Sequence, residues 1–318
     1  MAKIKKEQII LGSIIAAIII TASTLTYVIL TQTEAKFGYS LIERIDYTYD
    51  SEEEISTIDI TIVNDEGSIF ISYEEELESL VEAEDRFYGK RDASIEDATN
   101  FTAVEIGDTV FIDYNAPALY NTSDTRSFYN NLHIKIRADL TVKYNITTTT
   151  GDVYLVFDSV LTQTVISQLN VFSSLGDVSI EFGDNTAVDS STFSTEILDG
   201  NLDINFDAVE LFSTIEMWNI TSREGNIDFL IDQSDLIGTN NATFNILTAS
   251  GKATMKYKFN DGTGFQVGAI TATGDITSDV EIPDAHTPYQ NELFPSTENY
   301  IFAFETGTGS IKISKIVF

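Results

Sequence analysis

The side chains that could do chemistry are few in kind and lopsided in number. The chain carries 2 histidines, His133 and His286, no cysteine, and 50 Asp+Glu against 18 Lys+Arg in 318 residues. Disulfides and thiolate metal sites are excluded. Neither histidine has a second ligand at the spacing a zinc shell uses, such as His-x-x-x-His or Glu-x-x-His. The chain has no Gly-x-Ser-x-Gly elbow and no phosphate loop with its lysine, and Gly262-Thr-Gly264 and Gly307-Thr-Gly309 read as turns, not as a dinucleotide fingerprint opening a helix. Paired acids for glycoside cleavage are the one catalytic arrangement that so many carboxylates leave open. Such pairs line grooves rich in aromatic and basic residues, whereas the outward positions here are small, polar or acidic. The expectation is a protein without catalytic residues or metal ligands. A glycan-acting envelope enzyme stands behind the non-catalytic readings.

Two acidic features need placing. Gly-Asp steps put Asp152, Asp177 and Asp275 at a recurring turn, where stacked carboxylates could take calcium. That is the only cofactor the pattern leaves open. The equivalent positions elsewhere hold Asn201, Asn226 and Lys252, and the lysine charge opposes a metal ladder. The Gly-Gly-x-Gly-x-Asp run of calcium rolls is missing. The preferred reading is an Asp or Asn that stabilises a turn through its own backbone. Glu74, Glu75, Glu76, Glu78, Glu82, Glu84 and Asp85 lie among Leu77, Leu80, Val81 and Phe87 at near-helical spacing, which predicts a short helix or excursion over 74–88 with a solvated acidic face. Five Asn-x-Ser/Thr sequons, at Asn100, Asn121, Asn145, Asn219 and Asn241, are the candidate modification sites.

The elements that must position these groups repeat. Gly151-Asp-Val-Tyr-Leu-Val-Phe, Gly176-Asp-Val-Ser-Ile-Glu-Phe, Gly200-Asn-Leu-Asp-Ile-Asn-Phe and Gly225-Asn-Ile-Asp-Phe-Leu-Ile share a pattern that continues more loosely from Gly251, Gly274 and Gly309. The glycines are spaced 25, 24, 25, 26, 23 and 35 residues apart. After each glycine, positions two, four and six are apolar, as in Val153, Leu155 and Phe157. Before it, positions five and seven back are apolar, as in Ile146 and Tyr144, or Ile220 and Trp218. Each repeat therefore holds two strands with alternate residues facing one interior, turned at a glycine. A strand-built period in the twenties predicts an all-β fold, a right- or left-handed β-solenoid or β-roll in which repeats bury their apolar faces against their neighbours. Residues 41–140 are expected as its irregular N-terminal part, although Gly67-Ser-Ile-Phe-Ile-Ser-Tyr is an early copy, and 141–318 as the regular repeats. The longest gap, between Gly274 and Gly309, holds Pro283, Pro288 and Pro295, which predicts an excursion near 284–297 that binds something or covers a sheet edge.

Ahead of the repeats, Ile9 to Leu30 carries no charge. These 22 residues span roughly 33 Å as a helix, enough for a hydrocarbon core of about 30 Å. Lys3, Lys5 and Lys6 hold the first end inside. The expected order is a cytoplasmic basic tail over 1–8, an uncleaved transmembrane helix over 9–30, a stalk over 31–40 and an extracellular domain over 41–318, on a single-pass protein of the cell membrane. Beyond the anchor, 15 Lys+Arg face 49 Asp+Glu, a formal −34 that repels nucleic acid.

The segments Thr147-Thr-Thr-Thr-Gly-Asp-Val, Ser173-Ser-Leu-Gly-Asp-Val and Thr271-Ala-Thr-Gly-Asp-Ile resemble the putative-adhesin, or toastrack-like, β-roll family over about residues 40–318. That resemblance implies a cell-envelope location and a shape more than a chemistry. An anchor before a Thr-rich, sequon-bearing roll also resembles archaeal surface proteins. The expected function is a structural or adhesive display protein. Its partners are the lipid bilayer through 9–30 and, outside, glycans, other surface proteins or copies of itself. The alternative is a filament or surface-layer subunit whose apolar helix packs among identical helices, as in pilin-type subunits. Their processing site wants Gly or Ala after the basic residues, where this chain has Glu7 after Lys6.

Overall fold

The computed structural model describes residues 40–89, 99–116, 128–158, 162–183, 185–190, 192–234, 240–280, 282, 288–296 and 298–316. The tail, the uncharged run and the stalk before Ser40, together with Asn121 and His286, lie outside the described residues. The described residues are all-β, and their strands form one large mixed sheet of parallel rungs with antiparallel edges.

Alternation decides which face each strand buries. In Val178–Phe182 the apolar residues Val178, Ile180 and Phe182 are buried while Ser179 and Glu181 point away. Each repeat is a rung of two strands meeting at its glycine, and rungs lie parallel with equivalent residues in register. Leu155, Ile180, Ile204, Phe229, Met255 and Ile313 form one buried column on the wall after the glycines. Ile146, Val171, Thr195, Ile220, Ile246, Phe304 and Ala269 form another on the wall before them. The two walls meet through rings such as Phe182 on Trp218, 5.6 Å apart, and Phe206 on Phe244, 5.9 Å apart. Phe157, Phe182 and Phe206 stack at 5.1 and 5.5 Å in this core, as their spacing predicts.

The glycines form a column too. Gly67, Gly151, Gly176, Gly200, Gly225, Gly251, Gly309 and Gly274 all take φ between +138° and +155°, a region L side chains rarely adopt. All but Gly67, which meets the Asn130 carbonyl, also sit against the carbonyl of the neighbouring glycine. A Cβ on Gly176 would collide with the carbonyl of Gly151, and one on Gly225 with that of Gly200.

The column runs in an order that the period did not predict. Asn299–Thr308 and Ile311–Lys315, the Gly309 rung, lie between the Gly251 and Gly274 rungs, pairing with both. Burial explains the exchange. The second strand of the Gly274 rung is only Ile276–Ser278, with Ile276 38% exposed, and suits an edge, whereas Ile311 and Ile313 are buried and need neighbours on both sides. Tyr289–Gln290 pairs antiparallel with Gln266 and Val267, so this part of the proline-rich excursion covers the outer strand.

A similar exchange occurs at the other end. Thr57–Glu74 is one 18-residue strand running through Gly67, clasped between the Gly151 rung and the later strands Thr109–Ala116 and Phe128–Arg137. Much of 41–140 is therefore as regular as the repeats. Val81–Gly89 is a strand, not the helix predicted over 74–88, and it pairs antiparallel with Phe128–Arg137 and with Ser40–Tyr49. Val81, Ala83, Asp85 and Phe87 alternate inward, and an open strand edge with hydrogen bonds to fill overrides the helical spacing. Asn100–Ile106 closes the other wall against Thr109–Ala116. The sequence also reads as a loop from Asn115 to Asn131, but one strand continues to Ala116 and the next begins at Phe128.

Candidate functional site

The Gly-Asp corner is a ladder. The Asp152 Oδ1 accepts the backbone N–H of Asp177 at 2.9 Å, Asp177 accepts that of Asn201 at 2.7 Å, Asn201 that of Asn226 at 3.1 Å, and Asn226 that of Lys252 at 2.9 Å. The carboxylates and amides are thus committed to the next rung, not to their own turn as the sequence reading has it. Inside the same corner, three residues before most of the glycines, stands a buried polar column of Asn64, Thr148, Ser173, Ser222, Thr248 and Thr306, with Ile197 in that place before Gly200. Ser222 Oγ donates to the Gly200 carbonyl at 3.2 Å and Thr248 Oγ1 to that of Gly225 at 3.1 Å, satisfying acceptors that the close glycine contact leaves inside. The recurring Thr/Ser before the glycines was visible in the sequence as a motif, but its reach to another rung was not.

The sequons scatter over the surface. Asn100 is exposed on the edge strand Asn100–Ile106, and Asn241 is half-buried with its Oδ1 accepting the Asn299 N–H at 2.7 Å. Asn145 and Asn219 fall in one outward row of the wall before the glycines, which reads Asn145, Asn170, Ser194, Asn219, Asn245 across successive rungs. Amides link along it. Asn145 Oδ1 accepts Gln168 Nε2 at 2.8 Å and Asn170 Nδ2 at 2.9 Å, and Asn219 Oδ1 accepts Asn245 Nδ2 at 3.2 Å. Around Ser194 the surface sinks into a depression of about 200 Å³, lined by Asn145, Thr147, Asn170, Phe172, Ser194 and Glu196. The sequence reading named Asn145 and Asn219 only as sequons and missed the row, because its members are neighbours only after stacking.

Where the glycine column ends, a carboxyl is buried. Asp85 accepts a short hydrogen bond from the Tyr114 hydroxyl and one of 2.9 Å from Asn130 Nδ2, which also reaches the Tyr114 oxygen at 2.7 Å. Asn130 stands at the register position that glycine fills in every later rung. Burial pushes the Asp85 carboxyl up to about 6, against the lowering effect of its two donors. Burial and then the nearby Asp85 charge raise the Tyr114 hydroxyl. His133 lies on an outward face with its ring stacked 4.6 Å from Phe70, and burial followed by the Arg86 charge lowers its pKa. Phe70 stacks in turn on Tyr154 at 4.7 Å, so these rings face one another. Among the acids of the predicted helix, Glu74 pairs with Lys135 at 2.7 Å and Glu84 with Arg44 at 3.1 Å.

No protein-family model matches the sequence, and no curated protein matches it at a significant level. The structure is similar to solved chains of the adhesin-named group that the sequence resembles. A putative cell adhesion protein from Clostridium sporogenes is 12% identical over 86% of this chain and 99% of its own, with a TM-score of 0.39. A putative adhesin from Bacteroides fragilis is 13% identical over 85% and 96%, with a TM-score of 0.35. A putative lipid binding protein from Parabacteroides distasonis is 12% identical over 89% and 98%, with a TM-score of 0.36. Function is left to the residues of this chain.

Proposed function

We propose that the protein is a membrane-anchored cell-surface protein whose extracellular β-roll is a rigid display or adhesive module without catalytic activity. Residues 9–30 are its anchor, 31–40 its stalk and 41–318 the roll. The observation that carries this reading is the column of glycines in register from Gly67 to Gly309 and Gly274, following a 22-residue uncharged run. A stack locked at every rung holds its outer rows at fixed spacing over its whole length, as a display surface requires. The outward residues Asp203, Asp228 and Lys256 are exposed and keep that surface wet.

Protease shaving of intact cells, followed by membrane fractionation, tests it. Peptides from 41–318 should be released from whole cells while the remainder stays with the membrane. A protein found only in the soluble fraction, or protected until lysis, overturns the reading. Fibres or a lattice in electron micrographs of the native envelope would favour the filament or surface-layer subunit instead. On native protein, mass spectrometry should find glycan at exposed Asn100 before Asn145, whose side chain is engaged in the amide row.

A further inference from the structure

We infer that the depression at Ser194 is a binding site for a neutral pyranose sugar. The inference rests on the surface-display reading and gives that surface a ligand class. The amide row is continuous from Gln168 through Asn145 to Asn170, and resumes at Asn219 and Asn245. It breaks at Ser194, which stands in register between Asn170 and Asn219. Strands lie about 4.8 Å apart, so a serine hydroxyl is too short to join the amides on either side. The break leaves the Asn170 Oδ1 and the Asn219 Nδ2 without a partner in the row, an acceptor and a donor roughly 10 Å apart across a gap of two strand spacings.

Two further groups converge on that gap. Phe172 and Glu196 lie on the next outward row, in register on adjacent strands, and both line the depression with Ser194. The result is an aromatic side chain, a carboxylate, an amide and a hydroxyl around a volume of about 200 Å³, room for one sugar ring. An apolar ring packs the C–H face of a pyranose, while amide and carboxylate oxygens accept from its hydroxyls and an amide N–H donates back. Glu196 is the only ionisable group lining the depression, and the molecule around it is strongly acidic. Phosphates, uronic acids and sialic acids are repelled there, whereas an uncharged hexose is not.

The test uses the full chain, made in a host without N-glycosylation and held in a detergent that lacks a sugar headgroup. Saturation-transfer NMR is run with methyl α-mannoside, methyl β-galactoside and methyl β-glucoside, and with N-acetylneuraminic acid as the anionic comparison. Each sugar is taken to about 10 mM, where a site with a Kd of about 1 mM is mostly filled. At least one hexoside should receive saturation and the anion should not. Phe172→Ala should weaken that signal about tenfold or more. Ser194→Asn should do the same while leaving the melting temperature equal or higher, because it completes the amide row and fills the gap. Loss in Ser194→Asn with an intact melt separates a filled site from a damaged fold. Binding retained in both variants overturns the site, as does the failure of every hexoside or a preference for the anion. Neither variant should change shaving on intact cells, so the site can fail while surface display stands.

Discussion

At Gly225 the backbone holds φ +143° with the Gly200 carbonyl pressed against the place a Cβ would occupy. Gly225→Ala therefore meets backbone strain and a backbone collision together, and should cost at least about 3 kcal/mol of unfolding free energy. Gly107 gives the control. Its φ is +68° and nothing lies within 4 Å of its added Cβ, so Gly107→Ala should cost only about 1 kcal/mol. Urea melts of the two variants check this, and equal losses would show that the column contact is slack. Asp85 gives a pH dependence. Its folded carboxyl, at about 6, lies above its ordinary 3.8, so the contribution is fully present below about pH 4 and is lost as pH rises through about 6. Two units correspond to about 3 kcal/mol. Unfolding free energies from pH 4 to pH 7 should fall by that amount in the wild type relative to Asp85→Asn, and a constant difference between them would refute the assignment. The glycines and the hydroxyl before them were legible as a motif, since a turn with positive φ admits few residues. The Asp85 cluster was not, because its partners Tyr114 and Asn130 come from 29 and 45 positions away, and locally Asp85 reads as one of an acidic run, Tyr114 as the end of a strand and Asn130 as loop.

Period-two alternation made the strands readable wherever it ran for five residues or more. Ile204, buried between Ile180 and Phe229, and Asp203, outward beside Asp228, test that register. Ile204→Asp places an unpaired charge in the core and should cost several kcal/mol. Partial desolvation, then the charge of Asp228, raise the Asp203 carboxyl, so Asp203→Asn removes a repulsion and should stay within about half a kcal/mol of neutral. Matching melting temperatures would mean that the faces are exchanged. The alternation failed as a guide over 74–88, where apolar residues satisfy both periods and only the free edge of Phe128–Arg137 decides between them. It was also silent about order. Sequence spacing counts residues between rungs, and the 35 residues from Gly274 to Gly309 are long enough to let the chain pass outward and come back one place nearer the centre.

The whole molecule is an acidic stack with both ends dressed. Ser40–Tyr49 and Val81–Gly89 finish one end and Tyr289–Gln290 covers part of the other, so the strand Ile311–Lys315, which alone would read as an open apolar edge, is clasped on both sides. With a formal −34 over residues 31–318, copies should repel. Residues 34–318 are expected to sediment as a monomer at low salt, with or without millimolar calcium. A stable oligomer in both conditions would point to assembly through an end and towards the filament or lattice reading.

Because the Gly309 rung sits one place in from the end, the protein cannot be completed in the order in which it is made. A chain emerging from its N-terminus lays the Gly251 rung against the Gly225 rung and then makes the Gly274 rung, but the outer edge of the first and the inner partner of the second are left open until residues 299–315 slide between them. Until then two parallel edges wait open, the state in which strands pair with the wrong partner. Residues 299–315 thus act as a wedge that closes the stack only after the rungs on both of its sides have been made, and a chain cut anywhere before Asn299 leaves the edge of the Gly251 rung unpaired.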